Sequence, residues 1–532
     1  MHRFKKAGIV LLVIAVLGIP AWWFFSRHSV PPHARYIPKD VIAVATVNTK
    51  RIATDLLWAG ELKADTNTPA AHKFQNWKKA LETSGWAGIN PGADLLVFTN
   101  TSPDGKLWYN GLVIRVDDAS KLNLFLSTQL PHLLDSMHVH ATSVINHPNY
   151  QSVVIVNDDS ESPLSIGFNK DVLVVLRLST PSSDLSFFEK EFKKIFSLAP
   201  ESSLLGEEDF CISEKKSADI LFWLNLNRLQ KLFNPQKEQN SAPGYVNAWM
   251  DFEKGKITIE AEGISKAGTG LKPILNTHAT DPDFNKQIGK DQFMGMAFFH
   301  LNLPNLFERF RADGKNAIGE TLMKKTGLTP ADLSSAFTGQ VELAMNGLIT
   351  YPEKYTENVY DEDFNRTEIQ KIREAHLPGM LIRFHITNPA ALAPLVPKLM
   401  ARELIEPYKN GFRLKTDAPV YMISSGNFLY LTTFPEVPAE NKDHWTHPDL
   451  EDLQREHGNG FFINFGGLYE SFAKDPIQKA AFEKPNKLLE NMTWTVEEED
   501  DGNSKSHLVI HFNDKKMSSL AQLIKLSTTS NP

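Results

Sequence analysis

Met296-Ala297-Phe298-Phe299-His300-Leu301-Asn302-Leu303-Pro304-Asn305-Leu306-Phe307 is the stretch from which the fold is read. An apolar run with strand character ends at Leu301-Asn302, and helix-like sequence begins at once. Asn is a favoured helix cap because its side-chain oxygen accepts an N–H of the first turn, which has no partner within the helix. Pro304 suits that first turn, where a missing N–H costs nothing. Leu306, four residues after the Asn, turns back toward the strand. The same phrase recurs as Val47-Asn48 with Ile52, Leu224-Asn225 with Leu229, and Ile463-Asn464 with Leu468. The four corner residues Asn48, Asn225, Asn302 and Asn464 are thus candidate structural equivalents.

The spacings turn a phrase into an architecture. Asn48 and Asn302 are 254 residues apart, and Asn225 and Asn464 are 239 apart. Gly88-Ile89-Asn90-Pro91 and Gly327-Leu328-Thr329-Pro330 are again separated by 239. Leu173 and Leu429, each inside a strand-like run, are 256 apart, and Trp249 and Trp494 are 245 apart. Order and spacing are both kept, and the period is too long for a solenoid repeat. The expected fold is α+β: two related copies of an antiparallel sheet with helices packed on one side, over residues 36–280 and 281–532. Strand signals include Val41–Val47, Leu112–Val116, Val172–Leu176, Ile220–Leu224, Val341–Met345, Met380–Ile386 and Leu508–Phe512. Short turn sequences between neighbours, such as Glu253-Lys254-Gly255, favour antiparallel pairing. Apolar residues at 185, 188, 192, 195 and 196 make one helix face.

The first residues read differently. Arg3, Lys5 and Lys6 precede an uncharged run from Ala7 to Phe25. At ~1.5 Å per residue this run reaches roughly 28 Å, close to the ~30 Å hydrocarbon core of a bilayer. Trp22 and Trp23 lie at its far end, where indole rings favour the interface. No good small-residue cleavage site follows, and no cysteine is placed for lipidation. Residues 1–28 are therefore expected to be a cytoplasmic tip and a transmembrane signal anchor, and 29–35 a spacer. The early cations keep the N-terminus in the cytoplasm. The expected location is the inner membrane, crossed once through residues 7–25, with the C-terminal body in the periplasm.

Composition narrows the function classes. Hydrophobic residues make up 42% and charged residues 22% of 532, ordinary for globular protein with a sizeable core. The net charge of −7 comes without long like-charge blocks, which argues against a nucleic-acid partner. Cys211 is the one cysteine, so no intramolecular disulfide and no thiolate cluster can form within the chain. Flanked by Phe210 and Ile212, it reads as a packed core thiol.

Sites of chemistry are few. His132, His138, His140 and His147, with Asp135, form the densest group of metal-ligating residue types. In a strand His138 and His140 share a face and can bind one metal together. No second ligand pair at a diagnostic spacing accompanies them, so solvated histidines are the simpler reading of His138, His140, His147 and Asp135. His444 and His447 form a weaker group. Ser213-Glu214-Lys215-Lys216, Ser425-Gly426-Asn427 and Lys325-Thr326-Gly327 match serine-acylation motifs in the wrong order. Asp361-Glu362-Asp363 opens like a calcium loop, but Arg366 and Ile372 occupy the required Gly and Glu positions.

Tyr36-Ile37-Pro38-Lys39-Asp40-Val41, leading to Val47-Asn48-Thr49, resembles the opening of a family of exported Gram-negative envelope proteins. Their shared phrase is Ile-Pro-x-Asp, an apolar strand, then Asn before a helix. The resemblance implies an envelope location and supplies no catalytic residue. It departs from the family in lacking a lipidated cysteine. The expectation is a membrane-anchored envelope protein of unknown specific role, non-catalytic and without a cofactor, that serves in binding a partner or ligand, with an envelope protein as the candidate partner, or in structure. Two alternatives stand beside it: a metal-dependent hydrolase using the His138 and His140 region, and a carrier of an apolar ligand. Convergent titratable groups in a pocket favour the hydrolase, a closed apolar cavity the carrier, and an open apolar patch the binding protein.

Overall fold

The computed structural model describes residues 30–528 except 59–85, 103, 136–138, 158–162, 180–184, 234–243, 266–271, 278–281, 290–292, 313–315, 361–365, 441–444, 474–475 and 500–501. The expected anchor, residues 7–25, lies outside them. Among the described residues no helix is long and apolar enough to cross a membrane. Contacts divide the chain into two compact units. One comprises the chain up to Glu253 with Ala261–Lys266 and Leu520–Pro532; the other comprises Lys254–Glu260 and Ala267–Ser519.

In the first unit the strands are β1 (Ala43–Val47), β2 (Leu95–Thr101), β3 (Trp108–Arg115), β4 (Val139–Ala141), β5 (Ile145–Asn146), β6 (Gln151–Asn157), β7 (Leu164–Phe168), β8 (Val172–Leu178), β9 (Ile220–Asn225) and β10 (Tyr245–Glu253). They pair in the order β4/β5–β6–β7–β8–β3–β2–β1–β9–β10, every pair antiparallel. A further strand, β11 (Lys256–Ile264), is divided between the units. The second unit holds β12 (Phe293–His300), β13 (Phe337–Tyr360), β14 (Arg366–Ile386), β15 (Ile405–Tyr408), β16 (Gly411–Leu414), β17 (Tyr421–Ser425), β18 (Phe428–Thr432), β19 (Gly460–Asn464), β20 (Leu489–Glu498) and β21 (Ser504–Phe512). Their order is β15–β16–β17–β18–β14–β13–β12–β19–β20–β21, again antiparallel throughout. Counted outward from β1 and from β12, the two orders correspond from β6 to β10 and from β16 to β20, with β21 additional in the second unit. Gly88 and Gly327, which precede β2 and β13, both have left-handed backbone, at φ +82° and +74°.

The helices are not confined to one side of the sheet. Successive strand residues point to opposite faces. On β8, Val172, Val174, Leu176 and Leu178 pack with Phe187, Phe188, Phe192 and Ile195 of helix Ser186–Phe196. Leu173 and Val175 pack instead with Leu122, Phe125, Leu126 and Leu130 of the helical stretch 119–135. The second unit repeats this. Phe428 and Tyr430 of β18 join Leu450 and Leu453 of helix Pro448–Glu456, whereas Leu429 and Leu431 join Leu392 and Leu395 on the other side. The expectation of one-sided packing is thereby corrected. Its physical error is plain in Val172–Leu178: a near-continuous apolar run marks a strand buried on both faces. Burying a Phe or Leu side chain contributes roughly 1.5–3 kcal/mol, so both layers hold the sheet.

Register also separates two proposed marker pairs. Ala45 faces Phe222 and Ala297 faces Phe461, so Asn302 falls two residues beyond the place that Asn48 holds in the first unit. Trp249 lies opposite Leu221, and Trp494 opposite Phe461. Trp249 is buried in the core beside Leu221, while Trp494 shares the outer face with Phe461. A slip of one residue in a period of two reverses the face.

Candidate functional site

The four corner asparagines sit at strand ends, each followed by a helix: Thr49–Trp58, Leu226–Phe233, Leu303–Ala312 and Phe465–Phe472. Asn48 Oδ1 accepts the Arg51 N–H at 3.1 Å, Asn225 Oδ1 accepts that of Arg228 at 3.0 Å, and Asn302 Oδ1 accepts that of Asn305 at 3.1 Å. Asn464 makes no such cap and donates its Nδ2 to the Phe293 carbonyl at 2.8 Å. These are structural corners where chain direction changes from strand to helix.

The histidine group does not assemble among the described residues. His138 lies outside them, as does His444. Asp135 ends helix Leu130–Asp135, and His140 stands on β4 opposite Val156 of β6. His147 stacks on the Tyr150 ring at 4.3 Å, and its Nε2 lies 3.1 Å from the Ser152 hydroxyl. No three His, Cys, Asp or Glu side chains among the described residues converge as a metal site. Cys211 is half-buried against the first core with its thiol 3.4 Å from the Leu205 carbonyl, and burial raises its pKa, the opposite of an activated nucleophile.

Buried charge is present but engaged. On β13 and β14, Glu342 accepts two hydrogen bonds from the Arg383 guanidinium, at 2.5 and 2.8 Å, and lies 3.1 Å from His385 Nε2. Arg383 is also sandwiched between the Phe284 and Phe428 rings, 4.7 Å from each centroid. Burial pushes the Glu342 carboxyl up, yet the bonds from Arg383 and His385 outweigh it and hold the group below its usual range. In the first unit Arg51 bridges Asp219 at 2.9 Å and Asp251 at 2.7 Å. Glu214, fully buried, has no cationic partner of this kind among the described residues. It accepts one bond from Thr46 at 2.5 Å, its Oε2 is unpartnered, and burial pushes it up to about 7.

One open depression is polar, lined by Asn146, His147, Tyr150 and Lys170 among others, and a second is apolar. On the outer face of β2–β1–β9–β10, two rows of side chains run across the sheet. Register gives them as Thr99–Ala43–Leu224–Val246 and Val97–Ala45–Phe222–Ala248. The alanines leave a trough between larger neighbours, an open depression of about 410 Å³ with no titratable residue in its lining. Val97 and Phe222 at its rim are 40% and 39% exposed. Exposed apolar surface of this kind marks a contact site more often than chance scatter does. The equivalent rows of the second unit are Met345–Gly295–Ile463–Met492 and Leu343–Ala297–Phe461–Trp494. There Trp494 stands where the first unit has Ala248, and stacks on Phe461 at 5.3 Å. Among the described residues Trp494 thus fills the place that Ala248 leaves open in the first unit. The sequence does not mark the trough, because alternating apolar residues look the same whether a helix covers them or not.

No protein-family model matches the chain, and no curated protein matches it. Among solved structures, crystal form III of TP0453 is similar at 14% identity, covering 48% of this chain and 90% of that one, with a TM-score of 0.24. A likeness of that size is too slight to carry fold or function across.

Proposed function

We propose that this chain is a membrane-anchored envelope protein whose body arose by duplication of one α+β unit, and which binds a partner protein without catalysis. The observation that carries the reading is the open trough of the first unit, apolar and free of titratable lining. Its depth suits protruding apolar side chains of a protein partner. An open sheet face gives little enclosure for a carried lipid, whose binding sites bury most of the ligand. The common strand order supports duplication, and the run from Ala7 to Phe25 supports the anchor and a periplasmic body.

The test places a photo-reactive residue at Phe222 of the full chain in intact envelopes. The expected product is one protein adduct, lost when Ala45→Arg or Ala248→Arg puts charge into the trough. A phospholipid or fatty-acid adduct would establish the carrier reading instead. Absence of any adduct in correctly folded protein rejects both.

A further inference from the structure

The hairpin β13–β14 is far longer than the sheet it belongs to. β12 accompanies β13 only as far as Asn346, and β18 accompanies β14 only over Leu381–His385. From Leu348↔Pro378 to Tyr360↔Arg366 the two strands pair with each other alone. At ~3.4 Å per residue this ribbon is about 40 Å long. The equivalent hairpin of the first unit, β2–β3, has no such extension: it closes within Ser102–Leu107. The extension is therefore not required by the fold. A bare two-stranded ribbon is marginally stable in water, which makes a covering partner physically useful.

Its two faces differ. One carries Thr350, Lys354, Thr356 and Asn358 opposite His376, Ile372, Gln370 and Glu368, and is largely polar. The other carries tyrosine and charge in an ordered pattern. Its rows are Tyr351–Ala375, Glu353–Arg373, Tyr355–Lys371, Glu357–Ile369 and Val359–Thr367. Every acid on this face stands on β13 and every base on β14. Within the ribbon Arg373 meets Glu353 at 2.6 Å and Lys371 pairs with Glu357. All four charged side chains keep more than a quarter of their surface exposed, so they are available to a second layer. Pro352 and Pro378 interrupt the edges, and Lys354 and Glu374 add charge, so strand addition along an edge is disfavoured.

We propose that this tyrosine face is a self-association surface, and that its occupant is the same face of a second copy of this chain. The argument is charge complementarity. Two identical faces can meet about a two-fold axis that lies between them. If that axis runs along the ribbons, each β13 lies over the partner's β14, so the acid stripe of each copy covers the base stripe of the other. Tyr351 and Tyr355 supply amphipathic contact area between the charges, a role Tyr fills at interfaces generally. An axis across the ribbons would set acid over acid, and selects against that arrangement. Two-stranded ribbons twist strongly, which turns the distal rows away from the plane of the core face at their base. A lipid surface fits less well, because the internally paired charges would lose water there without gaining a partner.

The test uses the full chain in its membrane, with a photo-reactive residue in place of Tyr355 and two distinguishable tags. The dimer adduct of the parent should fall about ten-fold in E353K/E357K, whose face is wholly basic, and as far in K371E/R373E, whose face is wholly acidic. Co-expressing the two variants should recover the adduct as a mixed dimer, since basic then meets acidic. Recovery by mixing excludes misfolding as the cause of either loss. The proposal is overturned if the parent gives no dimer adduct, if reversal leaves the adduct unchanged, if mixing fails to recover it, or if Tyr355 marks chiefly lipid or another protein.

Discussion

The two units share a strand order and differ in what they put on it. One row shows this best. Across β2, β3 and β8 the first unit sets Leu96, Val113 and Val174 side by side; at the same places on β13, β14 and β18 the second sets Glu342, Arg383 and Tyr430. The first row is plain hydrophobic packing, and the second is a buried, hydrogen-bonded ion pair held between aromatic rings. The outer faces diverge in the opposite sense, open over Ala248 and filled by Trp494. Topology is evidently tolerant of either solution, while the energetics of each row are not interchangeable one residue at a time.

That asymmetry yields the largest expected effect. Arg383→Ala should cost about 3–5 kcal/mol in chemical denaturation, because Glu342 would be left charged and buried. The double change E342L/R383V, which installs the residues of the first unit, should cost far less or stabilise. A double variant as damaged as the single would break the equivalence of the two rows.

A second contrast lies between the buried glutamates. Glu342 is held below its usual range, whereas Glu214 is pushed up from 4.5 to about 7. Between those values the folded chain holds a proton on Glu214 that the unfolded chain has released. The contribution of Glu214 is thus fully present below about pH 4.5 and is lost as pH rises through 7. Glu342 acts in reverse, and its contribution is lost as pH falls through its depressed value. Glu214→Gln should flatten the fall with rising pH and leave the chain more stable above pH 8, by up to about 3 kcal/mol. Denaturant midpoints from pH 4 to 9 read the sign for Glu214; an unchanged slope in Glu214→Gln would mean that this carboxyl is ionised in the folded chain.

The smallest effect sharpens the corner comparison. Asn225→Ala and Asn302→Ala should each cost about 1 kcal/mol and speed hydrogen exchange at the Arg228 and Asn305 amides. Asn464→Ala should leave the first-turn amides of its helix unchanged, since Asn464 binds the Phe293 carbonyl instead.

The corners were legible because their physics is local: an Asn, the N–H three residues on, and a left-handed Gly before the next strand. The face assignment of the helices needed knowledge of which runs are buried twice. The long ribbon leaves little mark in the sequence for a related reason. Only Val341–Met345 and Met380–Ile386 carry the apolar signal of a packed strand, while Thr350, Lys354, Gln370 and Glu374 alternate among residues that all meet water. The trough was invisible because exposure is a property of neighbours distant in sequence. Trp249 and Trp494 show the limit of matching by spacing, which tolerates a one-residue error that a pleated strand does not.

At the root of the ribbon, pairing passes from Asn346↔Gly379 directly to Leu348↔Pro378, leaving Gly347 as an extra residue at φ +54°. That glycine sets parity. With it, the odd-numbered residues of β13 beyond the root share a face with the odd-numbered residues of β14. Drawing Gly347 into the regular ladder, with Asn346↔Gly379 kept, would act in space as a frameshift acts in a gene: Glu353 would fall opposite Ile372 and Glu357 opposite Glu368, and the acid stripe would part from its base stripe along the whole length of the arm.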